Sequence, residues 1–198
     1  MSHEEIEVKF IIDDLQVMRQ RIIALGATLK TPRTYEDNRL FDTPDQRLTQ
    51  QQCLLRLRRD RRNVLTYKEP APAAEADFKV RQEYEVEVSD MAQTQAIFAR
   101  LGFVPMLRYE KYRETFVYQE TEILLDEMPF GPFLEIEGDR DAIRTIAAKL
   151  GLDFASRLTA SYGEIFETIR ATYGLSITDM TFDNFRHLHI DLHACHLT

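Results

Sequence analysis

Tryptophan is absent from the 198 residues, and Cys53 and Cys195 are the only cysteines. Two thiols so far apart give no disulfide framework and fit a reducing compartment, where both are expected to be inert. Nowhere do apolar residues run for the roughly 18 positions that a membrane-spanning helix needs. Residues Met1 to Phe10 show no charged segment followed by an apolar one, so the expected location is the cytoplasm. Basic residues are the minority, 25 against 33 acidic, and the formal charge of -8 argues against general binding to nucleic acid or to an anionic membrane. A phosphate-bearing ligand would therefore need a local basic site. What is present is 44% hydrophobic residues, enough to fill one core.

Glu5, Glu7 and Lys9 alternate with Ile6, Val8 and Phe10, which reads as a strand over Glu5 to Ile12. Further alternating segments are Tyr35 to Asp42, Cys53 to Arg59, Val64 to Lys68, Val80 to Val88, Arg108 to Tyr118, Glu122 to Asp126 and Phe133 to Glu137. Asp13 or Asp14 can cap a helix carrying Leu15, Met18, Ile22 and Leu25, with Gly26 as its stop. Ser89 or Asp90 to Leu101, and Asp139 or Asp141 to Leu150, repeat that grammar with Gly102 and Gly151. A last helix is expected from about Thr159 to Tyr173. Two prolines and no apolar period make Pro70 to Asp77 a mobile loop that could act as a lid. Eight short strands with few helices suit an α+β architecture, in which the simplest way to bury two faces is closure into an antiparallel barrel with the helices outside.

The polar faces of these strands are unusual in composition. They carry Glu5, Glu7 and Lys9; Arg56 and Arg58; Thr66 and Lys68; Arg81, Glu83, Glu85 and Glu87; Lys111 and Arg113; Asp126; and Glu135 and Glu137. One such strand would read as a half-buried sheet with its charged side in water. Solvent faces usually mix in Ser, Thr, Asn and Gln, whereas here Glu, Arg and Lys dominate strand after strand. Turned into a barrel, the same side chains would line a wet lumen with clusters of both signs. Arg and Lys can cradle phosphate oxygens, while the i, i+2 pairs Glu5 with Glu7 and Glu135 with Glu137 each present two carboxylates in one direction. With no His or Cys among them, the donors suit a hard cation, Mg²⁺ or Mn²⁺, better than zinc.

Taken in order, Glu5-x-Glu7-x-Lys9, Asp37 to Asp42, Leu55-Arg-Leu-Arg58, Leu65-Thr-Tyr-Lys68, Arg81-Gln-Glu-Tyr-Glu85, Lys111-Tyr-Arg113, Asp126, Gly131 to Glu137 and Ser161-Tyr162 resemble the CYTH superfamily. These are the triphosphate tunnel metalloenzymes, which include class IV adenylyl cyclases, thiamine triphosphatases and inorganic triphosphatases. The resemblance runs from about Glu5 to Phe166. It implies a tunnel domain over 1–175 followed by a tail, 176–198. It implies Mg²⁺ or Mn²⁺ held by Glu5, Glu7, Asp126, Glu135 and Glu137, and phosphate held by Lys9, Arg56, Arg58, Lys68, Arg81, Lys111 and Arg113. Glu5, Glu7, Lys9, Glu83 and Glu85 form its implied catalytic set, and ATP, thiamine triphosphate or tripolyphosphate its implied partner, with a homodimer compatible. Ser2-His3-Glu4 stands where bacterial class IV cyclases tend to carry His-Phe, and Arg81-x-Glu83-x-Glu85 is kept, so hydrolysis is preferred over cyclisation of ATP. A non-catalytic polyphosphate-binding module is a third reading, against which the paired carboxylates count.

His187, His189, His193 and His196 crowd the tail in no standard zinc spacing. The alternation of His187, His189 and Asp191 with Leu188, Ile190 and Leu192 reads as an added edge strand or a loosely ordered tail. Tyr35, Tyr67, Tyr109 and Tyr112 could stack on a ligand ring or pack in a core.

Overall fold

The computed structural model describes residues 2–72, 77–195 and 197. Eight strands occur in chain order as β1 (Ser2–Ile11), β2 (Thr28–Asp42), β3 (Leu54–Arg59), β4 (Asn63–Pro70), β5 (Lys79–Glu87), β6 (Val104–Tyr118), β7 (Thr121–Met128) and β8 (Gly131–Glu137). All neighbours are antiparallel, and the order β1-β5-β4-β3-β2-β6-β7-β8 returns to β1, which closes the barrel. The helices are α1 (Leu15–Ala24), the short α2 (Arg47–Gln50), α3 (Met91–Arg100), α4 (Arg140–Lys149), α5 (Tyr162–Tyr173) and the short α6 (Phe182–Phe185). No helix among the described residues is long and apolar enough to cross a membrane.

The expected helix signals act as read. Asp14, Asp90 and Asp139 cap α1, α3 and α4 through their carboxylates. Ser161 caps α5 with a capping box to Glu164, and the helix starts at Tyr162, three residues after the expected Thr159. Gly174 closes α5 at φ 63, a left-handed conformation that a residue without Cβ adopts at little cost. β2 and β6 are longer than the alternation suggested, because Thr28 to Thr34 and Val104 to Leu107 interrupt the period with prolines and bulges yet still pair.

Most apolar residues of the strands point outward and are covered, whereas Tyr84 and Val86 stay exposed and Leu40, Leu54 and Leu124 face the lumen. Met18 and Ile22 of α1 and Ile143, Ile146 and Ala147 of α4 bury against Val8, Phe10, Phe116, Ile123, Leu134 and Ile136. Each fully buried Ile or Phe contributes about 1.5–3 kcal/mol. α5 lies against Tyr109, Met128 and Phe133, and Phe98 of α3 against Phe41, Leu55 and Leu57. The inward faces are thereby left largely to the charged residues.

The tail differs from the expected edge strand. Its apolar residues Leu175, Ile177, Met180, Phe185, Leu188, Ile190 and Leu192 join the α5 cluster, so hydrophobic burial rather than edge pairing orders it. His187, His189 and His193 are exposed and do not gather, His193 lying 3.1 Å from Asp13; His196 lies outside the described residues. Of the loop expected over Pro70 to Asp77, residues 73–76 are likewise outside them.

Asp42 ends β2 by accepting from the amides of Thr43, Leu48 and Thr49 and from the Thr49 hydroxyl, at 2.7–2.9 Å. Asp42→Ala should cost about 2 kcal/mol in a urea melt, because several amides lose a charged acceptor at once. A loss within 0.5 kcal/mol, roughly the scatter of surface changes, would remove Asp42 as the anchor of this corner.

Candidate active site

The strand period places every second residue of the barrel wall inside, where the side chains surround a cavity of about 690 Å³. Glu5, Glu7, Lys9, Arg56, Arg58, Lys68, Glu83, Glu85, Lys111, Arg113, Glu135 and Glu137 all line it. Opposite charges offset much of the burial cost in this lumen, as where Lys9 meets Glu7 and Lys111 meets Asp126.

Three carboxylates converge. Glu5, Glu7 and Glu137 each offer an oxygen within 4.8 Å of the other two. β1 supplies the first two, and the pairing of Glu7 with Glu137 brings in the third. Burial pushes the Glu137 carboxyl well above its ordinary value, reinforced by its hydrogen bond to Glu5 and by the negative charge there. Glu5 and Glu7 stay below theirs despite burial, because Lys68 faces the first and Lys79 and Lys9 face the second. Lys9 Nζ donates to Glu7 at 2.6 Å, Lys79 at 2.9 Å, and Lys68 to Glu5. Three crowded carboxylates and no imidazole or thiolate form a donor set that fits a hard divalent cation.

The structure places Asp126 and Glu135 outside this triad. Asp126 is fully buried beneath the lumen wall, and its oxygens accept from Lys111 at 2.9 Å, from Arg113 at 2.6 and 2.5 Å and from the Tyr162 hydroxyl at 2.8 Å. Burial opposes its ionisation, yet Arg113 and Lys111 hold it down to about 2. Glu135 takes Arg113 at 2.7 Å and Lys9 at 3.7 Å. Both carboxylates thus aim the cations that face the cavity.

On the opposite wall, Arg56 donates to Thr66 at 3.1 Å and lies 3.4 Å from Glu85 and 3.8 Å from Glu83. Lys68 is 3.4 Å from Glu83, whose carboxyl burial pushes up against the pull of Lys68. Arg58 pairs with Asp60 at 3.1 Å. Arg81 shares the face of Glu83 but sits apart from the other cations, donating to the Gln52 carbonyl.

Several lining residues were not anticipated. Glu36 is held down to about 2, against its burial, by Lys111 and Arg113. Lys79, Tyr162 and Met180 also face the cavity. The Tyr162 ring lies 5.5 Å from the Lys9 ammonium and 5.3 Å from that of Lys111, within cation–π range of both. Of the four tyrosines singled out, Tyr109 reaches the lumen, where Arg56 donates to its hydroxyl at 3.5 Å. Tyr35 packs on Tyr112, and Tyr67 on Tyr84, away from it.

A closed antiparallel tunnel with paired acidic and basic lining defines the class. The CYTH domain pattern matches residues 3–173, and the chain belongs to that family. A Methanocaldococcus jannaschii protein provisionally named an adenylate cyclase is 29% identical over 135 residues, 67% of this chain and 75% of that one. Among solved structures, a Pyrococcus horikoshii protein shares 26% identity at a TM-score of 0.68, covering 80% of this chain and 96% of its own. The Hippeastrum protein HpAC1, reported to have a dominant triphosphatase activity, shares the fold at 20% identity and a TM-score of 0.62, over 83% and 95% of the two chains.

Proposed function

We propose that the protein is a divalent-metal-dependent hydrolase of a small triphosphate. The observation that carries this reading is the acidic triad of Glu5, Glu7 and Glu137 within reach of Lys9, Lys68 and Lys79 in one lumen. A phosphate chain satisfies the cations, and a pure anion binder would gain nothing from carboxylates that repel its ligand. Glu5, Glu7 and Glu137 would hold Mg²⁺ or Mn²⁺, which supplies charge neutralisation at the phosphate oxygens.

Lys9, Arg56, Lys68, Lys111 and Arg113 bind and orient the phosphates, with Asp126 and Glu135 fixing the last two. Glu83 faces the cavity 3.4 Å from Lys68, where its carboxylate is placed to take a proton from water. The water oxygen attacks the terminal phosphorus, the bond to the bridging oxygen breaks, and the diphosphate leaves with the electron pair. Lys68 faces both the triad and Glu83, so Lys68→Ala should raise the half-saturating triphosphate concentration about tenfold or more. An unchanged value would take Lys68 out of the phosphate cradle.

Cyclisation of ATP is the second reading, favoured by the name of the archaeal relative. The deciding experiment incubates the protein with ATP, thiamine triphosphate and tripolyphosphate, with Mg²⁺ or Mn²⁺ and with chelator, and scores orthophosphate and cyclic AMP. Chelator-sensitive orthophosphate without cyclic AMP supports hydrolysis. Cyclic AMP with pyrophosphate replaces it by cyclisation, and no product from any substrate removes both.

A further inference from the structure

The acidic triad is matched by cations of the protein itself. Lys9 and Lys79 donate to the same Glu7 oxygen, Oε1, at 2.6 and 2.9 Å, and Lys68 donates to Glu5. Three ammonium groups against three carboxyl groups leave no excess negative charge to draw in a divalent ion, which would also be repelled by the ammonium beside it. A hard cation therefore has to displace one of the three.

They are not equally held. Lys9 has a second acceptor outside the triad, Glu135 at 3.7 Å, and its side chain is only 3% exposed. Lys68 has Glu83 at 3.4 Å and is 14% exposed. Lys79 has Glu7 as its one carboxylate partner among the described residues, and it is 22% exposed. Nothing but the triad holds its ammonium, and water is nearest to it, so its departure costs least.

The strand register puts it there. Glu7 pairs with Lys79 of β5 on one side and with Glu137 of β8 on the other, so the lysine and the third carboxyl flank the same residue. The backbone before Lys79 is pinned: Phe78 is buried against the Phe154 ring, and Asp77 accepts from Arg144 at 2.6 Å and from Arg157. Any departure of the ammonium is therefore a change of side-chain rotamer on a flexible four-carbon stem. Lys79 precedes Arg81-x-Glu83-x-Glu85 and is not among the residues through which the chain resembles its family.

We infer that Lys79 is the resident counter-ion of the triad, the group that a divalent ion displaces, and that it opposes metal loading until substrate phosphate draws its ammonium away. Lys79 is in this sense a positioning residue. Ion and triphosphate load together, because each removes what opposes the other. This rests on the metal-dependent reading of the same triad and adds the residue that regulates its loading.

The test is calorimetric binding of Mn²⁺ to the full chain with no phosphate present. Lys79→Met keeps the apolar stem and removes the charge, so it should bind Mn²⁺ about tenfold tighter than the wild type, the reverse of what losing a structural contact would do. Lys79→Arg keeps the charge and should stay within about twofold of the wild type. Lys30→Met should do the same, since Lys30 lines the same cavity but pairs with Glu122. Lys79→Gln replaces Lys79→Met if that variant unfolds. Neutral variants that bind Mn²⁺ no tighter than the wild type would overturn the inference, and so would equal tightening by Lys30→Met, the mark of a diffuse field. Mn²⁺ binding that Glu5→Gln fails to weaken, with or without Lys79→Met, would instead strike the metal site itself.

Discussion

Glu5→Gln should lower metal-dependent turnover at least about a hundredfold while shifting the melting temperature by only a few degrees. The amide keeps the size of the carboxyl and an acceptor for Lys68, which also has Glu83 3.4 Å away, so no buried cation is stranded. What the change removes is one of three carboxyl groups that meet within 4.8 Å. The residual rate should rise with metal concentration, since two carboxylates remain to hold the ion weakly. A variant with ordinary turnover at ordinary metal concentration would exclude Glu5 from the metal site and with it the reaction proposed.

Asp126→Ala should have the opposite profile, destabilising the fold by about 3–5 kcal/mol because Lys111 and Arg113 lose a fully buried partner and the Tyr162 hydroxyl its acceptor. The sign of the pH dependence follows from its low folded value. Asp126 titrates at about 2 in the folded protein against an ordinary 3.8, so its contribution is present above pH 4 and disappears as the pH falls through 2. The stability gap between wild type and variant, read from urea melts, should therefore narrow in acid. A gap below about 1 kcal/mol at neutral pH would mean that water or Glu36 takes over the two cations.

Much of this could be read in the strand alternation, and the exceptions share physical causes. Glu5, Glu7 and Lys9, or Arg56 and Arg58, fall inside because a period of two assigns faces without knowledge of the rest of the chain. The same period says nothing about depth. Asp126 and Glu137 are both inward-facing acids, yet one is sealed beneath Arg113 while the other meets Glu5, a difference set by the pairing across β6, β7 and β8. Glu36 shares its face with Asn38 and Leu40, which diluted the charge signal, and Lys79 sits one residue before the expected start of its strand, beside the loop. Tyr162 and Met180 reach the lumen only through helix and tail packing, to which local sequence is blind.

β1 has an unequal pair of neighbours. Its first half, Ser2 to Glu7, pairs with β5, its second half, Glu7 to Ile11, pairs with β8, and Glu7 alone appears in both registers. The contact between the first strand of the chain and the last spans about 130 residues, the costliest loop to close and the kind of contact that slows folding. The acidic triad is drawn from these two strands, Glu5 and Glu7 from the first and Glu137 from the last, so it is complete only once they pair. Ring closure completes the triad, and a cation held by Glu5, Glu7 and Glu137 would rivet the seam at which the first strand of the barrel meets the eighth.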